Sequence, residues 1–152
     1  MNVFGDINID DFSVHKSEEL SGSQLFISFL NRLEGWKTKC KNLHWASFKK
    51  DIHTYLDDFL EILVDYQDSL AEEEMGIYGR MLPNVIKGTE SMALNAKEFI
   101  LEIRSTTLEF YEKIPDDSLH AGIRSECETF IHNINKYKYL FSLTDQEFKG
   151  GE

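Results

Sequence analysis

The chain has 152 residues and a mass of 17.7 kDa, with 41% hydrophobic and 28% charged residues, enough to bury one core and too little for two. Asp and Glu total 27 against 16 Lys and Arg, a formal net charge of −11 and a pI near 4.9, so the surface repels phosphate backbones and anionic membranes and attracts cations. No apolar run approaches the roughly 20 residues of a membrane span and the N-terminus lacks a charged-then-apolar signal pattern; a soluble, cytoplasmic protein is expected.

In chain order, residues 1–22 are rich in Asp, Asn and Ser, show little periodicity and are expected to form an acidic arm outside the core. A four-helix domain is expected over 23–145. Its first helix starts at Ser23, with Phe26, Phe29, Leu30, Leu33, Cys40 and Leu43 recurring every three or four positions as far as Trp45. Asp51 is the expected cap of helix two, whose stripe of Tyr55, Leu56, Phe59, Leu60, Leu63, Tyr66 and Leu70 runs to about Gly76. Gly79, Pro83, Asn84 and Gly88 punctuate the next stretch. Helix three follows with Met92, Ala96, Phe99, Ile100, Ile103, Thr107, Leu108 and Tyr111, and ends at Pro115. Asp116, Asp117 and Ser118 offer caps for helix four, which carries Ile123, Cys127, Phe130, Ile131, Ile134, Tyr137 and Phe141. Residues 146–152 are expected to be a frayed end. Cys40 and Cys127 lack metal-ligand spacing and are expected to be buried, reduced thiols.

Four helices without a strand pattern define an all-α fold, a four-helix bundle. Helices one and two, and three and four, are closely spaced and should form antiparallel hairpins. The link Ile77–Gly88 is longer: extended at up to about 3.5 Å per residue it reaches roughly 40 Å, the length of a helix. A crossover between helices two and three, the ferritin-like connectivity, is therefore the expected topology, with up-down order if the link contains a helical turn.

Helix two carries His53 and Asp57 four apart and Asp68 and Glu72 four apart, and His44 lies near the end of the preceding helix. Imidazole with carboxylates suits a borderline divalent cation such as iron, manganese or zinc. At 100° per residue from His53, Asp57, Asp68 and Glu72 fall at about 40°, 60° and 100°, on one side, whereas the buried stripe occupies about 200° to 340°. The two pairs are centred roughly 22 Å apart along the axis, so one ion cannot touch both. A second copy packed antiparallel about a two-fold axis near Ile62 and Leu63 would bring the first pair of one subunit to the second pair of the other. Val64, Ala71 and Met75, on the same side, suit such a contact.

The remaining features point to surface, capping or packing roles. Asp51, Asp58, Glu61, Asp65, Glu73 and Glu74 make helix two acidic generally; His132 with Glu128 and His120 with Asp117 lack a further partner and are expected at the surface or at a cap. No Glu-x-x-His, His-Glu-x-x-His, Cys-x-x-Cys, Gly-x-Ser-x-Gly or glycine-rich phosphate loop occurs, and Trp36, Trp45, Phe48, Tyr55 and Tyr66 are expected as core or interface anchors.

The ordered pattern His44-Trp45, His53-x-x-x-Asp57, Asp68-x-x-Ala71-Glu72, ending near Gly76, resembles the Dps-like miniferritins over helices one and two. The resemblance implies a ferroxidase that oxidises Fe(II) with peroxide or oxygen and stores Fe(III) in a twelve-subunit shell. It implies His44, His53 and Asp57 from one subunit, with Asp68 and Glu72 from its two-fold mate, as catalytic and iron ligands. His44, Asp68 and Glu72 would form the primary site, and zinc is a possible substitute. A homo-oligomer is implied, a dimer first and a dodecamer beyond it. The segment between Trp45 and His53 is shorter than in that family, and Glu73 stands where the family has Arg. The arm has Asp6, Asp10, Asp11, Glu18 and Glu19 against Lys16 alone, so DNA binding is not expected. The other expectation is a non-enzymatic structural or interaction protein that keeps the dimer, with partial or zinc-occupied sites.

Overall fold

A computed structural model describes residues 17–150, with side chains from Ser23 to Thr144. The arm up to residue 16 lies outside the described residues. Four helices, α1 (Ser17–Ala46), α2 (Lys50–Tyr78), α3 (Ala96–Lys113) and α4 (Ala121–Gly150), form a bundle without strands among the described residues. The all-α, four-helix expectation is met. Helix boundaries differ at several ends: α1 begins before Ser23, α3 begins after Met92, and α4 continues beyond residue 145.

The apolar stripes meet as their spacing requires. Phe26, Leu33, Trp36, Leu56, Phe59, Leu63, Phe99, Ile103, Ile123 and Ile134 are among the buried core residues, as are the free thiols of Cys40 and Cys127. Phe29 and Phe110 stack with centroids 3.9 Å apart, joining α1 to α3, and Tyr66 stacks on Phe130 at 4.3 Å, joining α2 to α4. Burial pushes the Cys40 thiol up to about 12 and the Cys127 thiol up to about 11, which leaves both protonated and unreactive. Each helix packs against two neighbours: α1 with α2 and α3, α4 with α3 and α2.

Local chemistry explains the helix starts. Asp51 lies inside the first turn of α2 and is not its cap; its carboxylate accepts from the Ile52 N–H at 2.9 Å and from the Thr144 hydroxyl at 2.8 Å, tying α2 to α4. Asn95 caps α3 by accepting from the Glu98 N–H, while the Glu98 carboxylate reaches back to the Leu94 N–H, both at 2.8 Å.

The link from 79 to 95 contains no helix and is stitched to α1. Asn31 Oδ1 accepts from the N–H groups of Lys87 (2.8 Å) and Gly88 (3.0 Å), Asn31 Nδ2 donates to the Val85 carbonyl (3.3 Å), and the Thr89 N–H donates to the Asn31 carbonyl at 2.8 Å. Gly88 takes a positive φ of 99°, which glycine adopts without strain. The link then passes so close to α1 that a Cβ on Gly35 would lie 1.7 Å from the Thr89 carbonyl oxygen. Tyr78, at the end of α2, sits against Phe26 near the start of α1, whereas Ala96, at the start of α3, lines a cleft with Leu43, Ala46 and Ser47 at the end of α1.

Two glycine-to-alanine changes test this contact. Gly35→Ala should destabilise by at least the roughly 1–3 kcal/mol of an overpacked site, because backbone must move, and lower the melting temperature by several degrees. Gly76→Ala, in α2 with nothing within 4 Å of its added Cβ, should raise stability by about 0.5–1 kcal/mol. Thermal unfolding of both variants reads the difference; equal effects would contradict the tight approach of the link.

Candidate functional site

α1 and α2 are joined by residues 47–49 alone, and this short turn brings His44 against His53. The two imidazoles stack with centroids 3.6 Å apart and 23° between planes. His44 Nδ1 lies 2.8 Å from the His53 carbonyl oxygen, and His53 Nδ1 lies 2.8 Å from the His44 carbonyl oxygen. A carbonyl only accepts, so each Nδ1 carries a proton and donates it, which leaves Nε2 as the ring nitrogen turned away from these bonds. That is the arrangement in which a histidine is oriented to ligate through Nε2.

Asp57 is exposed one turn beyond His53, and Asp68 and Glu72 are exposed farther along α2. The structure thus brings His44 and His53 together and leaves Asp68 and Glu72 apart from them. Among the described residues of a single chain, no group of three or more His, Cys, Asp or Glu side chains could hold a metal ion. The shortened segment after Trp45 does not keep His44 away from His53. It also leaves Trp45 and Phe48 exposed, and Trp36 and Tyr66 are the aromatic residues of the anchor set that enter the core.

Two further constellations stand outside the expected ligand set. The first joins α2 to α4. Ser69 Oγ donates to Glu126 Oε1 at 2.6 Å, and the Glu73 carboxyl lies against Glu126, so two carboxyl groups meet at the seam. The seam is tight at Gly122, where a Cβ would come 2.6 Å from Glu73 Oε2. Burial, then the hydrogen bond and charge of Glu126, push the Glu73 carboxyl up to about 7. Glu74 is fully buried, and that burial pushes its carboxyl up to about 7 as well. Desolvation likewise holds the Tyr66 phenol above its ordinary range, with Cys127, Glu126 and Glu73 beside it. The helical spacing signals Glu74: at about 300° from His53 it falls in the middle of the core stripe.

The second constellation closes the other end of the bundle. His120 is buried and not on the surface; its N–H and its Nδ1 both meet Asp117 Oδ1, at 2.9 and 2.7 Å, and its Nε2 lies 2.7 Å from the Tyr78 hydroxyl. The ring stacks on Phe26 at 5.8 Å. Those bonds hold the Asp117 carboxyl below its ordinary range. The expected cap at Asp117 is present, and the histidine three residues on is a core group that the cap positions.

No family model, curated protein or solved structure matches the chain. No described helix is long and apolar enough to cross a membrane.

The raised carboxyls make stability depend on pH in a defined direction. Glu73 and Glu74 bind protons more tightly folded than unfolded, so their contribution is complete below about 4.5 and is lost as pH rises through about 7. The urea midpoint should therefore fall from about pH 5.5 to about pH 8. Glu74→Gln should flatten that fall and stabilise the protein at the alkaline end, while Glu61→Gln, at an exposed position, should leave it unchanged. A wild-type midpoint independent of pH in this range would contradict the assignment.

Proposed function

We propose that the chain is an iron-binding ferroxidase of the miniferritin type, oxidising Fe(II) at sites shared between two copies and passing Fe(III) to an acidic cavity for storage. The observation that carries this reading is the reciprocal fixing of His44 and His53 through Nδ1 at one end of the exposed face of α2, on which Asp57 follows His53 by one turn. Asp68 and Glu72 lie on that face roughly 22 Å away, so a site of two carboxylates and imidazoles needs α2 of a second copy, antiparallel to the first. The course of the link supports a ferritin-like bundle with a crossover between helices two and three. It leaves α2 beside Phe26, follows α1 at Asn31 and Gly35, and enters α3 beside Ala46.

In this reading the residues hold and orient the substrate iron. His44, Asp68 and Glu72 bind the first ion, and His53 and Asp57 serve the second position. The carboxylates favour the harder ferric state, and the −11 charge draws cations toward the site. Two Fe(II) ions give one electron each to a peroxide, which takes up two protons and leaves as two waters.

A second reading, a structural or interaction bundle whose partial sites are empty or take zinc, is favoured by the lack of any described three-ligand group within one chain. Protein loaded anaerobically with Fe(II) and then given peroxide separates the two. The ferroxidase reading expects ferric absorbance to develop at least about tenfold faster than in protein-free buffer, and expects His44→Ala and Glu72→Ala each to remove most of that gain. Absorbance equal to the protein-free control, or variants indistinguishable from wild type, would leave the second reading. Light scattering should report a dimer or larger assembly, and a 17.7 kDa monomer would exclude shared sites.

A further inference from the structure

Where α2 ends and α4 begins, three side chains form one line of hydrogen bonds. His120 Nδ1 lies 2.7 Å from Asp117 Oδ1, and His120 Nε2 lies 2.7 Å from the Tyr78 hydroxyl. Its bonds to the His120 side chain and N–H hold the Asp117 carboxyl below its ordinary range, so it accepts, and Nδ1 is the nitrogen that carries hydrogen. In the neutral imidazole Nε2 is then the acceptor and the phenol donates to it. The ring is fixed in this pose: Asp117 Oδ1 also accepts from the His120 N–H at 2.9 Å, and Phe26 packs against both the imidazole at 5.8 Å and the Tyr78 ring at 5.7 Å. His120 is buried and Tyr78 half-buried. Among the described residues Tyr78 is the tyrosine whose hydroxyl meets an imidazole; that of Tyr111 meets Glu128 and Arg124 instead.

Hydroxyl, base and a third group that orients the base, each within hydrogen-bond reach of the next, is the order that activates a hydroxyl. A phenol, with a pKa near 10, keeps its proton at neutral pH, so removing an electron alone leaves a strongly acidic radical cation. A base already in contact takes the proton in the same event and leaves a neutral phenoxyl radical. The imidazolium that forms is buried, a costly place for a charge without a partner, and the Asp117 carboxylate on Nδ1 supplies that partner. Such chemistry needs no substrate cavity: an electron leaves through a half-buried ring, while a buried base keeps the proton beside the oxygen it came from.

We propose that Tyr78 is a one-electron donor to peroxyl-class radicals, its proton passing to His120 Nε2 as the electron leaves, with Asp117 holding the imidazolium. The Tyr78 O–H bond breaks and an N–H bond forms on His120. The peroxyl radical takes the electron from Tyr78 and a proton from solvent and becomes a hydroperoxide. An electron returned by ascorbate brings the proton back from His120 and restores the phenol. The assignment is independent of the iron reading, since it uses none of the proposed ligands.

Oxidation of the full chain by photogenerated tris(bipyridine)ruthenium(III), at about pH 8 where an ordinary imidazole is neutral, tests it. Transient absorbance and electron paramagnetic resonance should report a neutral tyrosyl radical, identified by the narrowing of its line in protein made with ring-deuterated tyrosine. Tyr78→Phe should remove most of that signal, whereas Tyr111→Phe and Tyr139→Phe should leave it. His120→Gln keeps a hydrogen-bond acceptor near the hydroxyl but no base, and should slow radical formation at least about tenfold. Asp117→Asn keeps an oxygen that can cap α4 but no charge, and should slow it as well. Circular dichroism verifies that each variant is folded. A further readout needs no variant: in wild type exchanged into deuterated water, pulsed resonance should show one exchangeable deuteron hydrogen-bonded to the radical oxygen, with coupling to nitrogen in protein labelled with ¹⁵N-histidine. A radical that survives Tyr78→Phe, a rate unchanged in His120→Gln, or a wild-type radical without that deuteron would overturn the proposal.

Discussion

The arrangement of the bundle depends on a single asparagine. Asn31 sits in the interior of α1, and its side chain satisfies three backbone groups of a segment more than fifty residues away while its own carbonyl accepts a fourth. Those bonds hold residues 85–89 along α1 and so determine where α3 begins. The backbone groups of an irregular link need partners wherever it lies against protein, and side-chain amides are suited to the task because they donate and accept together. Gly35, one turn farther on, removes the side chain that would keep the link away. With the link held there, α3 lies beside α1 and α4 beside α2, where Glu73 meets Glu126.

Periodicity made the helices and nearly all of the core legible in the sequence, because burying a helical face requires apolar residues every three or four positions whatever the partner. It also placed His53, Asp57, Asp68 and Glu72 on a face away from the core, where they are exposed. The Asn31 stitch was not legible, since an asparagine within a helix has the same appearance whether it faces water or a distant loop. His120 was misjudged for a related reason: Asp117 three residues before it reads as a cap, and only the tertiary fold shows Tyr78 and Phe26 closing over the ring. The reciprocal bonds of His44 and His53 depend on the geometry of a three-residue turn, which periodicity does not specify.

The carboxylates of α2 fall into two groups with opposite chemistry. Those on the outer side, Asp57, Asp68 and Glu72, remain in water, where their charge costs little and attracts cations. Those turned toward the core, Glu73 and Glu74, hold protons more tightly because burial disfavours their charged form. The net charge of −11 thus overstates the charge of the folded domain near neutral pH and understates the contrast between the two sides of one helix. A protein whose acidity served solubility alone would place these groups outside, so the inward pair trades stability above neutrality for a polar contact at the seam.

The two ends of the bundle are built differently, and the difference bears on what each is for. At one end His120, Tyr78 and Asp117 close over Phe26, and Arg124 donates to the Ile114 carbonyl and the Tyr111 hydroxyl at 3.1 Å. Polar groups there are matched to one another and the aromatic rings are covered. At the other end the turn of residues 47–49 carries Phe48 at its apex, fully exposed among the described residues. Full burial of such a side chain is worth roughly 1.5–3 kcal/mol, and a polar residue would serve the turn equally well. The fold therefore does not require an aromatic at that position. Its placement beside an apolar cleft, with Leu94 and Trp45 also exposed, gives this end an apolar surface that adjoins the stacked His44 and His53, where the other end is closed by matched polar groups.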